Sequence, residues 1–355
     1  MRNQLTRREF ALRTAGAGLA LGLAPAALLA EAQQAPAAAS APLADPYSVV
    51  DPELLPAIKA FTTLSLSQEL LAKARQTPAL PPLPLPAPQP VERHIPGPAD
   101  APNVRLWVID PAPAEKNKPL LLHTHGGGYI TPNPAMVPWL QGIATDCRCV
   151  IVSVDYRLAP ETTYPGSLED SYAALKWAHA NAAELGIDRA RIAVGGESAG
   201  GGHAATLAIH ARDRNEVPIA FQLLIYPMLD DRTGSSVAAP PAIGNFVWTA
   251  ASNRFGWSSL LGVPAGSSRV PAGAVPARVA NVTGLPPAWI GVGSIDLFVE
   301  EDMEYARRLI NAGISTELFV VPGAYHGFDL LVPDAAASKQ FTASFKAALR
   351  KAFAT

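Results

Sequence analysis

The sequence is short of charge: Asp, Glu, Lys and Arg make up 16% of its 355 residues, and the formal net charge is −2. A nucleic-acid partner normally leaves Lys and Arg clustered on one face, and no such cluster occurs, so no nucleic acid is expected as a partner. Cysteine is scarcer still. Only Cys147 and Cys149 occur, so there is no disulfide framework and no cysteine to carry a lipid near the N-terminus. One residue apart in what reads as a strand, they would face the same side, where a bridge would be strained; two small buried residues are expected instead. Long apolar runs are missing too. The run near the N-terminus is interrupted by Pro25 and falls short of the roughly 20 residues that span a bilayer, so no permanent membrane anchor is expected.

What is abundant is apolar residue, 49% of the chain, enough for one large α/β domain with insertions or for two smaller domains. The first 32 residues stand apart. Arg2, Arg7, Arg8 and Arg13 precede the apolar run, and Ala30 and Ala32 follow it, the layout of a removable signal peptide cut near Ala32. "TRREFAL" is similar to the twin-arginine export signal, which implies export of a folded protein to the periplasm or beyond. An Ala/Pro-rich spacer covers 33–45, and short amphipathic helices with a proline-rich strap cover 46–98. From there, strand-like runs such as "PLLLHTHG" and "CVIVSVDY" alternate with helical patterns over 99–229 and 286–355. That alternation calls for a mostly parallel sheet with helices on both faces. Residues 230–285 have no clean strand and read as an insertion above the sheet.

Within "GGESAGGGH", Ser198 falls at a junction between a strand and a helix. A serine in that tight turn is presented above the sheet, and Gly196 and Gly200 leave room for the backbone. No GxxxxGK[ST] pattern is present, so a phosphate loop is a poor reading. A serine needs a base, and the base needs orienting. His326, in the glycine-flanked loop "VVPGAYHGFD", is the candidate base, and Asp296 at the end of "AWIGVGSID" is the candidate acid. Their order, Ser198 then Asp296 then His326, is the one expected of α/β-hydrolases. His203 is nearer in sequence but is rotated away on the helix, His94 lies beside the proline strap, and His179 and His210 belong to helices whose outer faces can solvate them. Glu300, Glu301 and Asp302 read as ordinary complements to a helix dipole. For the oxyanion hole, "HTHGGGY" offers the N–H groups of Gly126 and Gly127, joined by Ala199. His125 is a structural prop of that loop, and His123 a satisfied polar residue on the strand.

HGGG at 125–128, "DYRLAPE" at 155–161, "GESAGG" at 196–201 and "YHGF" at 325–328 together make the chain resemble the hormone-sensitive-lipase group of carboxylesterases, the bacterial family IV enzymes, over roughly residues 45–350. The resemblance implies an α/β-hydrolase fold, with an eight-stranded, mostly parallel sheet, helices on both faces and a helical cap made from the N-terminal segment and the insertion. It also implies hydrolysis of small-molecule esters with short to medium acyl chains, without a cofactor or metal, and it makes a homodimer an expectation. Two positions depart from the family pattern: Glu197 stands where Asp is common, and Leu297-Phe298 follow Asp296 in place of Pro-Leu. Both leave the triad intact and bear on substrate preference. An amidase or peptidase on the same fold, or an inactive ligand-binding relative, stays open at this stage. Activity is expected to fall as pH drops through the ordinary imidazole range.

Overall fold

The computed structural model describes residues 43–63, 65–76, 87–132 and 137–354. The signal segment 1–32, most of the spacer and residues 77–86 of the strap lie outside them. After a 3-10 turn at Pro46–Val49, the elements in chain order are α1 (Leu55–Ala60), α2 (Gln68–Gln76), β1 (Val91–Ile95), β2 (Val104–Ile109), β3 (Lys118–Thr124), α3 (Val137–Cys147), β4 (Val150–Asp155), α4 (Gly166–Ala180), α5 (Ala182–Leu185), β5 (Ile187–Glu197), α6 (Ala199–Arg214), β6 (Phe221–Ile225), α7 (Ala250–Leu261), β7 (Ala288–Gly293), α8 (Val299–Asn311), β8 (Thr316–Val321), α9 (Phe328–Leu331) and α10 (Ala336–Phe353). Among the described residues no helix is long and apolar enough to cross a membrane.

The strands form one eight-stranded sheet in the order β1-β2-β4-β3-β5-β6-β7-β8. β2 runs antiparallel to β1 and β4, while β3 to β8 are parallel to one another. A parallel sheet covered on both faces should read as continuous apolar runs. β3 accordingly buries all of "KPLLLHT". Successive side chains alternate between two cores, as a period of two requires. Leu120 and Leu122 join Val150, Val152 and Val154 under α4, α6 and α8, whereas Leu121, Ile151 and Leu223 face α3 and α10. The C-terminal helix shows why it docks. Phe341, Phe345 and Leu349 recur at intervals of four, all fully buried, and make a single apolar stripe.

A third apolar layer lies above the C-terminal ends of the strands. Leu71 from α2, Tyr129 and Ile130 from the glycine loop, Trp248, Trp257 and Leu260 from the insertion, and Leu297 and Phe298 behind β7 are packed together there. This is the helical cap over the sheet. Its two parts are stitched directly: Ser65 Oγ meets Thr249 Oγ1 at 3.1 Å, and the Leu66 N–H donates to Ser252 Oγ at 2.9 Å.

Two expectations change. Val91–Ile95, read as strap, is the edge strand β1; four of its five residues are exposed, so its sequence carries no apolar run to announce it. Cys147 and Cys149 do not share a strand, because Cys147 is the last residue of α3 and Cys149 lies just before β4. Both are free and buried, and burial raises the Cys147 thiol to about 11 and the Cys149 thiol well above its ordinary value.

Candidate active site

β5 ends at Glu197 and α6 begins at Ala199, leaving Ser198 alone in the turn with φ 57° and ψ −124°. A side-chain-bearing residue adopts that backbone only when its surroundings hold it there. Ser198 N donates to Ile225 O at 2.9 Å, and Ser198 O accepts from Gly202 N at 3.0 Å and Met228 N at 2.9 Å. The turn is also crowded. A Cβ at Gly196 would stand 2.1 Å from Thr124 O, and one at Gly200 would stand 1.9 Å from the same oxygen. Only glycine allows β3 and the start of α6 to approach this closely.

His326 reaches the serine from the loop after β8. Its Nε2 lies 2.9 Å from Ser198 Oγ, and its Nδ1 lies 2.8 Å from Asp296 Oδ2. A neutral imidazole that donates from Nδ1 to Asp296 leaves Nε2 free to accept the serine proton, the arrangement a nucleophile needs. Asp296 is further fixed by the Phe298 N–H, which donates to Oδ1 at 3.0 Å. Phe298 also packs edge-on against the imidazole, with centroids 5.2 Å apart. All three members are nearly closed off from solvent: Ser198 is 7%, His326 6% and Asp296 1% exposed. The three residues that sequence order picked out are thus brought together as a Ser-His-Asp triad.

The glycine loop requires a correction. The Gly126 N–H does not face the serine but donates to Glu197 Oε1 at 2.6 Å, so it is spent on a buried carboxylate. Glu197 Oε2 in turn meets His123 Nε2 at 2.9 Å, and His123 Nδ1 meets Ser153 Oγ at 2.9 Å. The residue before the nucleophile is therefore a strut beneath the glycine loop. The signal for it is a carboxylate inside an otherwise apolar strand end, where it must find donors. Among the described residues no acceptor takes the N–H of Gly127, Gly128 or Ala199.

Two further histidines are packed in the core near the site. His203 is wedged edge-on between Tyr129 and Tyr156, at centroid distances of 4.7 and 4.5 Å, and burial lowers its pKa to about 3. It is a neutral packing residue. His125 stacks on Tyr156 at 4.2 Å, its Nδ1 meets Gly126 O at 2.7 Å, and burial lowers its pKa. One contact to this loop comes from far away in the sequence. Arg75 of α2 donates to Ile130 O at 2.8 Å and Ala159 O at 2.7 Å while pairing with Glu161 at 2.7 Å. The N-terminal segment is thereby tied to the glycine loop and to the "DYRLAPE" motif.

Behind Asp296, α8 opens with three acids, of which only Glu300 is a solvated dipole complement. Glu301 is buried and accepts from Leu229 N at 2.6 Å and Asp230 N at 3.1 Å, anchoring the start of the insertion. Asp302 is fully buried, and neither of its oxygens has a partner among the described residues. Both face the core because they fall on the apolar face of an amphipathic helix. Burial, reinforced by Glu301 and Asp296, raises the Asp302 carboxyl well above its ordinary value. A carboxyl whose pKa is raised on folding favours the fold fully below its unfolded pKa, and that contribution is lost as pH rises through the folded value. Asp302→Asn should therefore gain stability relative to the parent as pH rises from 4 to 8, by about 1.4 kcal/mol for each pH unit between the unfolded and the folded value. Thermal melts across that range check it; a difference independent of pH would contradict the assignment.

The comparisons with known proteins agree with this geometry. The model of the α/β-hydrolase fold family matches residues 121–330. Esterase LipI of Mycobacterium tuberculosis is 34% identical over 80% of this chain and 89% of its own. Carboxylesterase NlhH of the same species is 38% identical over 70% of this chain and 79% of its own. Among solved structures, a bacterial heroin esterase superposes with a TM-score of 0.77 at 34% identity, covering 87% of this chain and 99% of that one. With its triad assembled on the sheet these relatives share, the chain belongs to the α/β-hydrolase family, as a carboxylesterase or lipase that cleaves small-molecule esters through a serine nucleophile.

Proposed function

We propose that the chain is an exported carboxylesterase of the hormone-sensitive-lipase group, acting on esters of short to medium acyl chains. The observation that carries the reading is the continuous relay from Ser198 Oγ to His326 to Asp296, with contacts of 2.9 and 2.8 Å. In the first step His326 Nε2 takes the serine proton as Oγ adds to the ester carbonyl, and Asp296 stabilises the imidazolium. Gly127, Gly128 and Ala199 are the donors for the oxyanion, Gly128 replacing Gly126 in that role. His326 then protonates the departing alcohol, and after acylation it deprotonates the water that releases the acid. Placement in the group is supported by HGGG at 125–128 and "GESAGG" at 196–201. Export rests on the twin-arginine pattern at Arg7-Arg8, the absence of a nucleic-acid partner on the slightly acidic charge, and a homodimer on the resemblance alone.

The preference for modest acyl chains follows from enclosure. Trp248 is only 8% exposed and its ring tip would lie 2.2 Å from a Cβ on Gly128, so the indole stands directly against the oxyanion loop. Its Nε1 donates to Asn253 Oδ1 at 3.1 Å, which fixes the ring in place. Hydrolysis of matched esters of increasing acyl length, with the corresponding amides in parallel, tests the function. The parent should favour short chains and spare the amides. Trp248→Ala should move the optimum to longer chains by about two carbons, with a change in relative kcat/KM of about tenfold, since each buried methylene is worth about 0.8 kcal/mol. An unchanged profile would show that Trp248 does not bound the site.

A further inference from the structure

His326 has a second buried carboxyl close by that the acyl-transfer cycle does not use. Asp329 follows three residues later in α9 and is 4% exposed. Its Oδ1 accepts from Tyr226 Oη at 3.1 Å, and its Oδ2 has no partner among the described residues. Tyr226, just beyond β6, is fully buried and has φ 33°, a backbone that a bulky residue holds only under constraint. The constraint is visible: Tyr226 N donates to Gly291 O at 2.6 Å, and Phe341 stacks near-parallel to the phenol at 6.2 Å. Thus held, the Tyr226 ring meets the imidazole of His326 at 65°, with centroids 4.8 Å apart.

We propose that Tyr226 and Asp329 form a second positioning pair for His326, in which the phenol limits the swing of the imidazole and the carboxylate behind it favours the imidazolium formed during acyl transfer. The inference rests on His326 as the base. The electrical surroundings of Asp329 are few and asymmetric. Burial raises its carboxyl to about 6; the Tyr226 hydrogen bond, its own backbone N–H and His326 pull it down, while Glu197 at the end of β5 pushes it up. Tyr226 is itself faced by Asp329, Glu197 and Asp296, and among the described residues the main influences on either group include no Lys or Arg. A carboxyl so placed changes charge within the working range of a histidine base, and its proton is therefore coupled to the one His326 must carry.

The test is the pH profile of ester hydrolysis in Asp329→Asn and Tyr226→Phe. Loss of the charge makes the imidazolium less favourable, so the acidic limb of kcat/KM should move to lower pH by about half to one unit, while kcat on the plateau falls about three- to tenfold. KM should stay within twofold. Tyr226→Phe keeps the ring but removes the donor to Asp329, so it should shift the limb in the same direction by less. A purely structural role would lower the melting temperature and leave the limb unmoved, and that result in either variant overturns the proposal. A shift in the Asn variant that the Phe variant does not share overturns the link through Tyr226. If the Asn variant fails to fold, the Phe variant decides alone. His326→Asn separates the premise from the inference: full activity there refutes the base assignment, whereas lost activity there with an unmoved limb in the other two refutes only the pair.

Discussion

Ser198→Ala should lower kcat/KM for an ester by about four to six orders of magnitude, leaving the modest rate that oxyanion donors and binding alone provide. The loss is chemical. Among the described residues the hydroxyl makes one hydrogen bond, to His326 Nε2, and the backbone contacts that hold the turn run through Ser198 N and O, which alanine keeps. Alanine also keeps a Cβ in the same strained backbone, so the folded state should change by less than about 1 kcal/mol. An alanine variant that retains a tenth of the activity would mean that another group attacks the ester, and among the described residues no other hydroxyl or thiol hydrogen-bonds to His326.

Glu197→Ala should also be damaging, for a different reason. Removing the carboxylate strands the Gly126 N–H and His123 Nε2, both buried, and frees the loop that carries Gly127 and Gly128. Breaking a buried charged contact of this kind costs about 3–5 kcal/mol of stability. Misplacing one oxyanion donor costs about 10²- to 10³-fold in kcat. Glu197→Gln separates the two effects. Its carbonyl can still accept from Gly126, but its amide cannot accept from His123, so a fall of about tenfold in kcat with KM little changed is expected. Steady-state kinetics with melts on both variants check this. If Gln matched the parent and Ala lost only stability, Glu197 would support the fold and not the oxyanion loop.

The difference between Ser198 and Glu197 also marks what the sequence could disclose. The triad was legible because each member is announced locally: a glycine elbow after a strand, an acid at a strand end, a histidine in a glycine-flanked loop. The sheet was legible because parallel strands buried on both faces spell uninterrupted apolar runs. β1 was not, since an edge strand with a solvated face has no such run. Gly126 was misassigned because a backbone N–H carries no residue-level label; its direction depends on a carboxylate 71 positions away. Glu301 and Asp302 read as dipole complements because the helix dipole explains acids at an N-terminus equally well whether or not the neighbouring face is buried. Tyr226 and Asp329 lie 103 positions apart, and nothing local relates them.

The most direct test of the central claim is labelling of the purified protein with a fluorophosphonate followed by mapping of the adduct by mass spectrometry. An activated serine reacts covalently and an ordinary one does not. One adduct per chain, on the peptide containing Ser198, abolished in Ser198→Ala and strongly reduced in His326→Asn, is the predicted result. Absence of an adduct on a protein that is folded, or an adduct on another residue, would contradict it.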